Sequence, residues 1–300
     1  MDLISHVTLL GGAATRAEIV ERCGRGALAR ALREGLLDRV GRGRYALPSA
    51  EQAVRAAAAY GGVVSMRSAA QRHGWGQRLV PKLPDVTFPR TRRLEAAARR
   101  RLVPHWSDLA PEEVERGVTT KRRTLVDCMR NLPLEDAVPI VDSAVRAGDV
   151  SKEELVRIAT EMRGRSRARA IAVARMATAR AANAYESTLR AIASTVPGLA
   201  IRPQQALRVS RDQVLHPDLL DDRLRIVIEA ESFEWHGDRR RLTQDCWRYN
   251  RFVNLGYLVV RFSWEQVIFS PAYVVNVLVD AVRHALVHAN VTGEATGQRN

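Results

Sequence analysis

Apolar positions recur along this chain with helical spacing in some stretches and with strand alternation in others, and the changes between them mark out its elements. Residues 3–10 have the spacing of a short helix. Thr15-Arg16-Ala17-Glu18 forms a capping box that opens a second helix through Arg22. Gly24-Arg25-Gly26 breaks it, and a third helix, 27–34, places Leu28 and Leu32 on one apolar face. Residues 36–40 and 44–47 flank Gly41-Arg42-Gly43 as a β-hairpin. Residues 51–60 and 65–73 return to helical spacing, whereas 86–89 and 101–105 read as short strands. Residues 119–182 are largely helical, with a second capping box at Ser151-Lys152-Glu153-Glu154.

The last third of the chain alternates strand and helix. A helix carrying Glu186 continues to about Ser194. Pro217-Asp218 closes one apolar run, and a second, 224–230, leads into Glu229-Ala230-Glu231, so a hairpin is expected. A helix over 244–255 stops at Gly256, and 257–262 is a continuous apolar strand of the buried, parallel kind. Strand, helix and strand make a right-handed crossover, which puts the acidic hairpin and this last strand in one mixed sheet. Ser270-Pro271 starts a final helix to about residue 288.

These elements predict an α/β multidomain chain. Residues 1–50 form a winged helix-turn-helix DNA-binding domain, 51–117 a mixed α/β region, and 118–181 a helical connector that lines a nucleic-acid channel in an alternative reading. Residues 182–290 form a mixed β-sheet flanked by helices, and 291–300 a disordered tail.

Charge narrows the class of partner. There are 47 Lys+Arg against 33 Asp+Glu, a formal net charge of +14. Lysine occurs at 82, 121 and 152 alone, so a bias toward arginine explains the choice of base and not the excess of base over acid. Such a surface attracts polyanions, and DNA is the expected partner, with RNA left open. Arg30 and Arg33 on the third helix, Arg25 just before it, and Arg42 and Arg44 on the hairpin gather on the two elements that meet a duplex in a winged helix. Three widely spaced cysteines indicate neither a disulfide framework nor a cysteine-rich zinc site. No window has the length of a membrane span and the N-terminus lacks a basic leader, so a soluble, cytoplasmic protein with no membrane partner is expected.

The acidic hairpin carries the candidate chemistry. Strand side chains alternate faces, so Glu229 and Glu231 point to one side, and Asp218 joins them if the turn centres near Arg223 and Leu224. Converging carboxylates repel unless they share a proton or a cation, and hard oxygen ligands suit Mg²⁺ or Mn²⁺. Metal-assisted attack of water on a phosphodiester is the implied reaction. Glu186, taken alone, reads as an i,i+4 ion-pair partner of Arg190.

Pro217-Asp218, Val227-Ile228-Glu229-Ala230-Glu231 and Trp235-His236, with Tyr185-Glu186 and Arg202-Pro203-Gln204-Gln205 upstream, resemble the core of the very-short-patch repair endonucleases. Vsr-like domains of unknown function in the PD-(D/E)xK superfamily share this core. The resemblance runs from about 182 to 282 and takes in Asp245 to Asn250 and Gly256 to Phe262. It implies that Asp218 and Glu229 bind one Mg²⁺ or Mn²⁺, with Glu186 helping directly or through water. Glu231 would support them or bind a second ion, and His236 would act as general base or stabilise the leaving group. Arg239, Arg240 and Arg248 would contact phosphate. The superfamily's usual lysine would fall at Glu231; in the repair endonucleases that lysine is not used and the histidine matching His236 contributes instead.

Upstream, Ala14 to Val20, Ala27 to Tyr45 and Ala46-Leu47-Pro48 are similar to the N-terminal region of AbiEi-type antitoxins. That likeness implies a toxin-antitoxin or defence setting, with a cognate toxin as a protein partner. The leading expectation is a DNA-binding, metal-dependent endonuclease. The alternative is a non-catalytic transcriptional regulator or antitoxin that keeps the nuclease fold as a scaffold. The oligomeric state stays open.

Overall fold

The computed structural model describes residues 2–231 and 239–297. It is of mixed α/β class, with four sheets among the described residues. The chain divides into two compact units, one made of 1–75, 80–132 and 158–170, the other of 76–79, 133–157 and 171–300.

The first unit begins with α1 (Leu3–Leu9), β1 (Ala13–Thr15), α2 (Arg16–Arg33), β2 (Asp38–Gly41) and β3 (Arg44–Ala46). The strands form an antiparallel sheet in the order β1-β3-β2. The capping box forms as expected: the Glu18 amide donates to Thr15 Oγ1 at 3.3 Å, and the Thr15 amide donates to the Glu18 carboxylate at 2.7 Å. The second and third predicted helices follow one another inside α2, parted at Gly24 alone, whose φ of 80° and ψ of 161° suit glycine. Gly26, expected to belong to the break, is helical. Val7, Ile19, Leu28, Ala31, Leu37 and Tyr45 close the core of this portion.

There follow α3 (Gln52–Tyr60), β4 (Val63–Val64), α4 (Met66–Arg72), β5 (Asp85–Phe88), α5 (Ala96–Arg99), β6 (Val103–Trp106), β7 (Val114–Glu115), β8 (Val118–Thr119) and α6 (Lys121–Asn131). Their sheet has the order β6-β5-β4-β8-β7, with β5 parallel to β6 and β4 parallel to β8. Strand β5 shows what each face does. Val86 and Phe88 enter an apolar core with Val54, Val64, Ala69, Leu102 and Val118. Asp85 and Thr87 take the opposite face and are buried too.

The remaining elements are α7 (Leu134–Arg146), α8 (Lys152–Glu161), α9 (Arg167–Met176), α10 (Ala184–Ala193), β9 (Arg202–Pro203), β10 (Leu207–Ser210), β11 (Gln213–Leu215), β12 (Leu219–Asp221), β13 (Ile226–Glu231), α11 (Arg239–Asn254), β14 (Leu258–Ser263), α12 (Trp264–Phe269) and α13 (Pro271–Gly297). In the second unit β14-β13-β12-β9 form one sheet, and β10-β11 a separate hairpin. The expected acidic hairpin is β12-β13, and β13 pairs in parallel with β14 from Ile226↔Leu258 to Glu231↔Ser263. Both faces are covered. Ile226, Ile228 and Phe262 pack with Leu189, Val274 and Leu278, while Leu220 and Val227 pack with Phe252 and Tyr257.

Helix α10 packs on α7 through a buried ion pair, Arg190 to Asp142 at 2.7 Å, with the carboxylate wholly buried. Arg190 therefore does not serve as the helical partner of Glu186, because the low-dielectric contact to Asp142 is open to it from the buried side of the helix. Helix α13 runs to Gly297 where a disordered tail was expected from 291, since no proline interrupts the chain between Ala272 and Gly297. Among the described residues no helix is long and apolar enough to cross a membrane.

Candidate functional site

Asp218 stands just before β12, and the antiparallel register brings it beside the end of β13. Its Oδ2 accepts from the Ala230 amide at 2.8 Å and its Oδ1 from Gln204 Nε2 at 3.0 Å. Glu229 lies on β13, 5% exposed, with its carboxyl against that of Asp218. Burial first, then the Asp218 charge, push Glu229 up to about 8, against the opposing pull of Arg248. Burial also raises Asp218, although the Ala230 amide and Arg248 oppose it. Asp218 is half-buried, and two such carboxyls side by side hold one proton between them unless a cation replaces it.

Glu186 reaches this pair through Gln204, whose Nε2 also donates to Glu186 Oε2 at 3.3 Å. It sits in the first turn of α10, capped by Asn183, whose Oδ1 accepts from the Glu186 amide at 2.9 Å. Its carboxylate in turn accepts from the Ala182 amide at 2.9 Å and from Asn183 Nδ2 at 3.1 Å. Burial raises its pKa, the Ala182 bond lowers it, and the Asp218 charge raises it further. Asn183 and Glu186 thus form a capping arrangement at the start of α10.

Glu231 lies two residues on from Glu229, on the same side of the strand as expected, yet it has different company. Its Oε1 accepts from Arg261 Nε at 2.9 Å and from the Tyr249 hydroxyl. Burial alone would raise it, but the Arg261 and Tyr249 hydrogen bonds hold it below the usual glutamate range. The Arg261 guanidinium also lies over the Tyr249 ring, 4.0 Å from its centroid. Neither Arg261 nor Tyr249 was singled out from sequence. The signal available was an arginine in the otherwise apolar strand Leu258-Val259-Val260-Arg261-Phe262.

Arg248, on α11, donates from one terminal nitrogen to both Glu229 oxygens, at 3.0 and 3.2 Å, and to the His216 carbonyl at 2.7 Å. Its Nε is buried and has no partner among the described residues. Arg239 and Arg240 open α11. His236 and Trp235 lie outside the described residues.

A divalent cation would find hard oxygen donors in the Asp218–Glu229 pair, whose shared excess of negative charge is the chemistry such an ion relieves. Glu186 is joined to the pair through the Gln204 amide, and among the described residues no three acidic, histidine or cysteine side chains form a metal-ligand cluster.

In the first unit Arg25, Arg30, Arg33 and Arg42 are exposed. Arg44 is half-buried instead, its guanidinium packed against Gly61, where an added Cβ would lie 2.4 Å from it. The cysteines Cys23, Cys128 and Cys246 are free.

No family model matches the chain, and no curated protein matches it. A solved structure, that of the RV2827C protein from Mycobacterium tuberculosis, is similar over 68% of this chain and 86% of that one, with 16% sequence identity and a TM-score of 0.33, a likeness too slight to carry an argument.

Proposed function

We propose that this chain is a DNA-binding, divalent-metal-dependent endonuclease-like protein that hydrolyses phosphodiester bonds in the cytoplasm. The observation that carries the reading is the half-buried Asp218 carboxyl set against the buried Glu229 carboxyl at the sheet, with Glu186 tied to Asp218 through Gln204. Asp218 and Glu229 would hold Mg²⁺ or Mn²⁺, which when bound polarises a phosphoryl oxygen and makes its water a nucleophile near neutral pH. Gln204 and the Ala230 amide fix the Asp218 carboxylate. Arg248, whose side chain is partly exposed, would meet a phosphate oxygen, and Arg261 adds positive charge beside Glu231, where a lysine is otherwise expected. His236 would supply the base. The first fifty residues supply the DNA contact as a winged helix, with Arg25, Arg30 and Arg33 on the second half of α2 and Arg42 at the hairpin tip.

The alternative, a regulator or antitoxin that keeps this fold as a scaffold, is favoured by one observation: Arg248 already meets Glu229, and Arg261 with Tyr249 already meets Glu231. Cleavage of supercoiled plasmid with Mg²⁺ or Mn²⁺ separates the two readings. Asp218→Ala should abolish nicking while leaving DNA affinity intact, and Arg30→Ala/Arg33→Ala should weaken specific binding tenfold or more. Absence of cleavage by wild type with either metal moves the assignment to the regulator. Unchanged binding by the double variant overturns the winged-helix reading.

A further inference from the structure

The five-stranded sheet of the first unit has one apolar face and one polar face, and the polar face is buried. Asp85 and Ser65 are wholly buried, Thr87 is 3% exposed and Asp127 is 7% exposed. Hiding such groups from water costs free energy that an apolar face would not, and here each is held by a partner. Asp85 meets His105 Nε2 at 2.8 Å and Arg67 Nε at 3.3 Å, and Thr87 donates to Ser65 Oγ at 2.8 Å. Arg123 donates from Nε to both oxygens of Asp127, from one terminal nitrogen to Glu113 at 2.7 Å, and from the other to Ser107 at 2.7 Å.

Above this network lies a cavity of about 330 Å³, within the size range of small-molecule sites. It opens past the carboxyl ends of the parallel strands β5 and β6, between Arg90 and Ser107. There the chain leaves β6 at one edge of the sheet and crosses to β7 at the other. The cavity wall includes Met66, a residue other than glycine held at φ 51°.

We infer that this cavity binds a small sugar phosphate. Asp127, Glu113 and Asp85 are spent on Arg123, His105 and Arg67, which leaves two lining guanidiniums for an anion. Arg90 has the exposed Asp108 at 3.8 Å, and Arg130 gives one nitrogen to the Arg163 carbonyl and meets no carboxylate among the described residues. For a polyol the lining leaves the Ser166 hydroxyl, the Ser107 hydroxyl hydrogen beside its bond from Arg123, and the amide oxygen of Asn131, whose Nδ2 donates to the Asp127 carbonyl. Met66 and the Trp106 ring are too little apolar surface for a hydrophobic ligand. The inference is independent of the nuclease reading, since none of these residues belongs to the acidic site.

Calorimetric titration of the full chain with ribose 5-phosphate, inorganic phosphate and ribose tests it. Ribose 5-phosphate should bind more tightly than phosphate, with ribose weaker than both, and Arg90→Ala/Arg130→Gln should lose tenfold or more in affinity for it. Ser166→Trp, which fills the cavity without breaking an ion pair, should weaken binding equally while the melting temperature stays unchanged. Equal affinity for phosphate and ribose 5-phosphate, binding that survives either variant, or no binding tighter than about 1 mM each overturns the inference.

Discussion

Asp85 and Asp127 in the first unit are buried against guanidiniums, whereas Glu229 in the second is buried against the carboxyl of the half-buried Asp218. Around Asp127 the arginine is committed along its whole edge, to two carboxylates and a hydroxyl, so its hydrogen bonds are all made. Around Glu229 one guanidinium faces two carboxyls and is itself left with a buried, unpartnered nitrogen. The two arrangements have the same count, one guanidinium to two carboxyls, and differ in how fully the guanidinium is hydrogen-bonded. A network that closes on itself supports a wall, and one that does not waits for a proton or a positive ion.

The largest test of that contrast is in pH. Glu229 is raised from an ordinary 4.5 to about 8, so between those values the unfolded chain has released a proton that the folded chain retains. Stability from this group is therefore undiminished below about 4.5 and is lost as pH rises from there through 8, by something of the order of 5 kcal/mol. Denaturant unfolding at a series of pH values should show wild type losing that stability relative to Glu229→Gln, and Mg²⁺ should restore it to wild type at high pH. Parallel pH profiles for the two proteins would mean that Glu229 is charged throughout. A smaller effect belongs to the closed network. Asp127→Asn leaves Arg123 with Glu113 and Ser107, and unfolding midpoints should register a loss of about 1–3 kcal/mol at neutral pH. The smallest is Glu186→Gln, which keeps an acceptor for the Ala182 amide and should cost less than about 1 kcal/mol by the same measurement. A loss as large as that at Asp127 would place Glu186 among the structural carboxylates.

Local signals in the sequence account for much of this. The Thr15–Glu18 box, the alternation that puts Glu229 and Glu231 on one side, and the parallel strand beside them follow from spacings of a few residues. What escaped depends on residues far apart along the chain. Arg190 had a nearby candidate in Glu186, but its partner is Asp142, which helix packing brings to it from 48 residues away. His105 carried no metal-like spacing, and its role emerges when parallel pairing of β5 with β6 sets it beside Asp85. Gln204 stood in a recognised segment without a task, and the reason for it is the pair of carboxylates that its amide joins. A further trace was present in Asp85-Val86-Thr87-Phe88, where two polar residues occupy one face of a buried strand.

The Asp142–Arg190 pair also bears on how such a chain can be recombined. A gene fusion that joined at residue 182 would inherit Arg190 on the buried side of α10 and leave its counter-charge behind, at a cost of about 3–5 kcal/mol. One that joined near 133 would carry both. Natural exchange of the acidic sheet between proteins should therefore favour the earlier junction, with α7 travelling as part of the inheritance.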